Sequence, residues 1–443
     1  LKVLTRVEAD GAHAAAALAA ELAGVGDSRE TALCTELVYG VLRRRPWLDH
    51  LIESAAGRPL DRIDPATRRI LRIAAYQLAF LERIPARAAV FEAVEQARRR
   101  GSPRLAGLVN AVLRKLAGRE RAELAGRDPG PDAPFSAFAL AHGLPAWLVE
   151  RLVTAHGDAG ARAMATAFDR PAPRTLRVNL ARTTRDALLV DLGETARLNP
   201  VSPWAIDVAD ARAARRLEED GRAVHQDAGA QLAVLALDAG PGCRVLDACA
   251  GRGGKTGALA ALVGEAGRVV AADRQESKLL RLALELHRLG LEAETVAGDL
   301  TGAAPALGGP PFDRVLIDAP CSGSGTLGRR PDIRWRIDER KVASLVELQW
   351  SLLVALALRV APGGRLVFAV CSVLPEEGRF HGPRFLDAHP DFSFVEFPPG
   401  GWPGMVPWNG GSILVDPAVT GGDGYQIICL ERRSSPPGRG SPQ

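Results

Sequence analysis

The chain has 443 residues, 47% hydrophobic and 24% charged, the balance of a folded protein of two or three domains rather than a fibrous or disordered one. No stretch approaches 18 uninterrupted apolar residues, which excludes a helical membrane span. The net charge of +4 is uneven: residues 1–118 hold 19 Lys and Arg against 13 Asp and Glu, with runs at Arg43-Arg44-Arg45 and Arg98-Arg99-Arg100. Such a basic module suits a polyanion partner, and a solvated helix face suits it equally well.

The chain opens at Leu1 without an initiator methionine, so a clipped first helix is expected. The Ala-rich run His13–Ala23 carries Glu21 and lacks a basic flank and a cleavage pattern, which predicts a helix rather than a signal peptide. Asp27 with Glu30 forms a capping-box pattern, after which Leu33, Leu37, Val41 and Leu42 share one helix face. Asp64-Pro65 is an N-cap followed by proline at the first helical position. Helices over 86–100 and 103–117, parted by Gly101-Ser102-Pro103, complete a compact all-α domain over 1–125. Residues 126–134, dense in Gly, Pro and Asp, form a linker.

Residues 135–228 read as a small α+β subdomain, with helices near 145–168, 184–193 and 211–220 and strands at 175–179 and 205–208. From 229 to 433 short apolar strands (244–248, 268–272, 294–297, 314–317, 365–370) alternate with helices (255–263, 275–289, 339–360). That rhythm predicts a doubly wound, mainly parallel sheet. Residues 434–443 are expected to be a disordered tail.

In such a sheet the ligand crevice lies beyond the carboxyl ends of the strands. The five strands end in Asp247-Ala-Cys249-Ala250-Gly251-Arg252-Gly253-Gly254-Lys255, in Asp273, in Gly298-Asp299, in Asp318-Ala-Pro320-Cys321 and in Cys371-Ser372. Acids, a glycine loop and two thiols therefore converge on one rim. The glycine loop is no P-loop, because Cys249 stands where that motif needs glycine, and it offers no GxGxxG. Glycines that let backbone approach a ligand, Asp273 placed for ribose hydroxyls and Asp299 for an adenine edge together suit S-adenosylmethionine. Helix N-capping is the plainer use of each acid taken singly.

Six scattered cysteines, without CxxC or HExxH, give no support for a metal site and fit reduced thiols in a cytoplasmic protein. Burial as small apolar residues is expected for Cys34, Cys243 and Cys429. Cys321 and Cys371, at the rim, are instead candidates for chemistry.

The runs DACAGRGGKT, DAPCSGSG and AVCSVLPEE resemble those of RNA cytosine-5 methyltransferases with two active-site cysteines, and the first 118 residues resemble the NusB-like domain found fused to them. The fusion resembles the bacterial 16S ribosomal RNA enzymes of the RsmB/Sun type over nearly the whole chain. The resemblance implies three parts: an all-α NusB-like domain, a small α+β RNA-binding subdomain, and an α/β Rossmann-like methyltransferase domain. It also implies S-adenosylmethionine held by Cys249–Lys255, Asp273, Asp299 and Asp318, with Lys255 at the methionine carboxylate or in solvent. Cys371 would be the nucleophile, Asp318 the group serving ring nitrogen 3, and Cys321 the residue that releases product. The implied partner is 16S ribosomal RNA outside the fully assembled small subunit, and the implied state a cytoplasmic monomer without membrane or metal. Three departures stand out: Gly251-Arg252 replaces Ala-Pro, Gly378 replaces Asn, and GDGYQIICL replaces an aspartate–glycine–phenylalanine run. The alternatives are a cytosine-5 methyltransferase acting on transfer RNA and a non-catalytic NusB-like RNA-binding factor; lack of a P-C-x-x-C pair excludes a zinc deaminase.

Overall fold

A computed structural model describes residues 1–25, 28–100, 103–126, 130, 133–302, 307–397, 405–408 and 411–434. Asp27 of the predicted capping box, Gly101-Ser102, most of the predicted linker and the tail beyond 434 therefore lie outside the described residues. The chain divides into two compact units: residues 1–169 with 330–336, and residues 170–329 with 337–443. This division runs through the segment that the sequence groups as 135–228.

The first unit is helical: α1 (Lys2–Ala9), α2 (Ala14–Leu22), α3 (Ser28–Ala56), α4 (Pro65–Phe80), α5 (Ala86–Arg98), α6 (Pro103–Ala117), α7 (Arg121–Ala125), α8 (Phe135–His142) and α9 (Ala146–Phe168). Asp64 caps α4 as its sequence predicts, its carboxylate accepting from the Ala66 and Thr67 N–H groups. Val41, Leu42, Ile52, Ile70, Leu71, Val109 and Leu113 form the core, whereas Leu33, expected on the same face, is exposed. The short segment Pro331–Trp335 belongs to this unit. Its Arg334 is fully buried and donates to the carbonyls of Arg43, His142, Gly143 and Phe168, while the Trp335 indole donates to the Leu42 carbonyl.

The basic run Arg43–Arg45 is not a solvated face. Arg43 is buried, Arg44 lies over the Phe80 ring and pairs with Asp169, and Arg45 lies over the Trp335 ring. Arg98, Arg99 and Arg100 remain exposed. Of the two runs read from the sequence, only the second is exposed along its whole length, with Arg98 paired to Glu95.

In the second unit, β1 (Thr175–Val178), β2 (Ala196–Leu198), β3 (Ala205–Val208) and β4 (Ala223–His225) form an antiparallel sheet in the order β2-β3-β1-β4. Helices α10 (Arg185–Leu192) and α11 (Ala211–Glu219) cover it through Leu188, Ala213, Ala214 and Leu217. The sequence had missed β2 and β4, each three residues long.

The larger sheet comprises β5 (Arg244–Ala248), β6 (Arg268–Asp273), β7 (Glu294–Ala297), β8 (Phe312–Asp318), β9 (Val360–Val370), β10 (Phe392–Phe394), β11 (Met405–Trp408), β12 (Ser412–Val415) and β13 (Tyr425–Arg432). Its order is β11-β12-β13-β9-β8-β5-β6-β7, with β10 beside β13. The five strands from β9 to β7 are parallel, as their apolar rhythm predicts; β10 to β13 are antiparallel and were not anticipated. Helices α12 (Ala228–Leu237), α13 (Gly254–Val263), α14 (Glu276–Leu289), α15 (Glu339–Ala357), α16 (His381–Ala388) and α17 (Pro417–Thr420) complete the unit. Strand order reverses between β5 and β8, so the crevice is expected beyond their carboxyl ends.

Candidate active site

Beyond those ends lies a cavity of about 370 Å³ lined by Cys249, Asp273, Lys278, Asp299, Asp318 and Pro320, with Leu300, Leu348 and Leu352 as its apolar wall. The volume is that of an ordinary small-molecule cleft. Residues from four of the five strand ends named in the sequence meet here.

The glycine loop after β5 turns on alternate left-handed residues: Cys249 at φ 61°, Gly251 at 60° and Gly253 at 86°. Cys249 is one of two non-glycine residues in that region among those described, a conformation that costs about 1 kcal/mol or more. At Gly253 a Cβ would come within 2.7 Å of the Leu282 side chain, so the loop can close against α14 only with glycine there. Asp273 holds the loop from the adjacent strand: one carboxylate oxygen accepts from the Gly251 N–H at 3.0 Å and the other from the Gln275 N–H at 2.8 Å. A carboxylate has about four acceptor positions, so Asp273 keeps capacity for ligand hydroxyls. Asp299 is exposed at the cavity rim and accepts from the Thr301 N–H and hydroxyl, bonds that hold its carboxyl below the usual range. Local capping and cavity lining thus coexist in both acids. An apolar wall for a base and a carboxylate for a ribose fit the nucleoside of S-adenosylmethionine.

Lys255 is not free in solvent, one of the two uses weighed from sequence. It is buried, and its Nζ pairs with Asp318 Oδ2 at 2.6 Å while lying 5.5 Å from the Tyr425 ring centre.

Beneath the loop, Asp247 is fully buried. Its Oδ2 accepts from the Thr256 hydroxyl at 2.6 Å, and its Oδ1 has no hydrogen-bond partner among the described residues. Burial raises its pKa from 3.8 to about 7. The folded protein therefore binds the proton more tightly than the unfolded chain, and this group's contribution to stability falls as pH rises through the window from about 4 to about 7. Asp247→Asn keeps an acceptor for Thr256 and cannot ionise. Urea titrations at pH 5 and pH 8 should show wild type losing roughly 2–4 kcal/mol more than the variant across that interval. Equal losses would place the charge elsewhere.

The two thiols read as functional from their strand ends are in contact: Cys321 Sγ and Cys371 Sγ lie 3.2 Å apart. The hydrogen bond with Cys371, and then burial, push the Cys321 thiol well up. Cys249, by contrast, is pushed up to about 12 by burial and by the nearby carboxylates of Asp318, Asp273 and Asp247. Of the remaining three, Cys429 is buried as expected, Cys243 is half-buried and Cys34 is exposed, against expectation.

One residue joins the two cysteine loops and was not singled out from sequence as functional. Glu377 is fully buried and accepts from the Ser322 N–H at 2.7 Å and the Ser372 hydroxyl at 2.6 Å, as well as from the Ser322 hydroxyl. Gln349, on α15, donates to Glu377 at 3.2 Å and to the Pro320 carbonyl at 2.9 Å. Among the described residues no group of His, Cys, Asp and Glu could hold a metal ion, and no helix is long and apolar enough to cross a membrane.

Comparison with known proteins finds three matched segments. Residues 234–426 match the family model for 16S rRNA methyltransferase RsmB/F, residues 1–118 the NusB family, and residues 144–215 the RsmF/B-like ferredoxin-like domain. The ribosomal RNA small subunit methyltransferase B of Erwinia tasmaniensis is 36% identical over 437 residues, 98% of this chain and 97% of that one. The Vibrio cholerae protein of the same name is 36% identical over 83% of each chain. Among solved structures, that of PH0851 has a TM-score of 0.78 at 25% identity, covering 95% of this chain and 94% of that one. A methyltransferase homologue from Pyrococcus horikoshii, at 24% identity and a TM-score of 0.55 over 68% of this chain and 99% of its own, shares the fold.

Proposed function

We propose that this chain, which belongs to the 16S rRNA methyltransferase RsmB/F family, methylates carbon 5 of a cytidine in 16S ribosomal RNA through a covalent cysteine–cytosine adduct. The observation that carries the chemistry is the pair of sulfurs 3.2 Å apart, with Asp318 and Pro320 of the same loop lining the cavity. Carbon 5 of cytosine is a poor nucleophile, and a thiolate bonded to carbon 6 turns the ring into an enamine whose carbon 5 is reactive. Covalent catalysis thereby splits one hard step into two easier ones.

Members of this family use S-adenosylmethionine, which supplies an electrophilic methyl group. Asp273 and Asp299 would hold its nucleoside, and Asp318, Cys249 and the loop through Gly254 would bound the rest. Cys371 attacks carbon 6. In the resting pair the Cys321 S–H donates to the Cys371 thiolate; once attack has consumed that thiolate Cys321 gives its own proton to solvent, and its thiolate then takes the carbon 5 proton, so that the carbon 5–carbon 6 double bond re-forms and Cys371 leaves as thiolate. Asp318, fixed by Lys255, would serve ring nitrogen 3 through a shared proton, the role the family resemblance gives it. The target base must leave its stack, which favours RNA outside the assembled subunit. The exposed Arg98–Arg100 run supplies phosphate contacts.

Mapping 5-methylcytidine in 16S and transfer RNA from cells with and without the protein tests this directly. A modified 16S position that disappears with the protein supports it; loss confined to transfer RNA would replace the substrate. For the cofactor, Asp273→Ala should weaken S-adenosylmethionine binding by about 1.5–3 kcal/mol, the range for a hydrogen bond to a charged group. Calorimetry finding wild-type affinity in the folded variant would remove Asp273 from the site.

A further inference from the structure

The turn that follows Cys371 carries a polar anchor with no part in the reaction described above. Gln426, the second residue of β13, pairs with Val370, the last residue of β9, and is 1% exposed. Its Nε2 donates to the Ser372 carbonyl at 3.1 Å and to the Leu374 carbonyl at 2.7 Å, and its Oε1 accepts from the Arg379 N–H at 3.1 Å. The carboxamide has room because residue 378 is glycine: a Cβ there would stand 2.3 Å from Gln426 Cδ and Oε1.

We propose that Gln426 is a positioning residue for the Cys371 nucleophile, and that Gly378 makes the space its carboxamide needs. The inference rests on Cys371 being the attacking thiol. Ser372 to Leu374 leave the strand ladder, so their buried carbonyls need donors from elsewhere. A carboxamide suits them because its NH₂ offers two donors and its oxygen an acceptor. Glutamate would aim a lone pair at the two carbonyls, and leucine would remove the side-chain donor from both and the acceptor from the Arg379 N–H, the Leu374 carbonyl keeping only the Glu377 N–H at 3.1 Å. Either change lets the segment carrying Cys371 relax, and a misplacement of about 1 Å at a reacting atom costs about a hundredfold in rate.

The test uses the full chain with Gln426→Leu, Gly378→Ala and the double variant. Single-turnover methylation of 16S RNA at saturating cofactor should fall about 30-fold or more in each single variant, with S-adenosylmethionine affinity within about threefold of wild type. Because both substitutions remove one interaction, the double variant should be no worse than the poorer single one. Alkylation of Cys371 by iodoacetamide, mapped by mass spectrometry across pH, should change in rate or midpoint in both single variants, and this arm needs no methylation. Should Gln426→Leu fail to bind cofactor, Gly378→Ala, which leaves β13 intact, decides by the same measurements. Wild-type turnover with unchanged alkylation in a folded variant, or losses that multiply in the double variant, overturns the proposal. If the wild-type protein makes no 5-methylcytidine while the single variants show the altered alkylation, the reaction is refuted and the positioning role stands.

Discussion

Cys371→Ala should give neither methylated RNA nor a protein–RNA adduct, whereas Cys321→Ala should halt after methyl transfer and accumulate a covalent complex that survives denaturing electrophoresis. The thiols touch, at 3.2 Å, yet are given opposite places in the cycle. Losing the nucleophile removes the covalent route altogether, a loss of about 10⁴-fold or more in rate. Loss of Cys321 spares attack but removes the base for the carbon 5 proton, so the ring cannot expel Cys371. Cys321→Ala also deletes the S–H donor to Cys371, so adduct formation should slow while its final yield rises. A trapped complex seen with Cys371→Ala and absent with Cys321→Ala would reverse the roles. Two folded variants without any adduct would remove covalent catalysis from the reading.

Glu377→Ala should destabilise the second unit by about 3–5 kcal/mol and should abolish adduct trapping in a Cys321→Ala background. The carboxylate is wholly buried, and burial pushes its pKa up while the Ser322, Ser372 and Gln349 donors pull it back. Alanine would leave those donors unpaired in a dry site, the situation that makes breaking buried networks expensive. The residues it ties, Ser322 and Ser372, each directly follow a cysteine of the pair. Stability and thiol geometry should therefore fail together. Glu377→Gln keeps the volume and one acceptor oxygen, and should lose about half as much. Chemical denaturation would check the first claim, and an alanine variant within about 1 kcal/mol of wild type would show that the loops hold each other without it.

The parallel strands and the rim were legible because each strand is a short apolar run ending in a chemically distinctive residue. Pairing across the chain was not. Lys255 and Asp318 lie 63 positions apart in sequence, and no local pattern predicts that a lysine in the first turn of α13 will bury itself against that acid. Ser322 and Glu377 are likewise brought together only by the fold. The antiparallel strands escaped notice because β11 and β12 are four residues each and β13 drew attention as a motif, not as a run. Arg43–Arg45 misled for another reason: a charge count cannot see that one arginine is buried and the other two lie over a phenylalanine and a tryptophan.

Arg334 and Trp335 carry a consequence for synthesis. The helical unit otherwise ends at residue 169, but its interior is finished by two side chains that emerge from the ribosome more than 160 residues later. At the usual 5–20 residues per second, once Phe168 has been made the carbonyls of Arg43, His142, Gly143 and Phe168 wait about 8–30 s more for their donor. Until then the amino-terminal unit is an incomplete template, open to chaperones. A nascent chain stalled before residue 330 should be cut by protease within this unit at sites that the released protein protects.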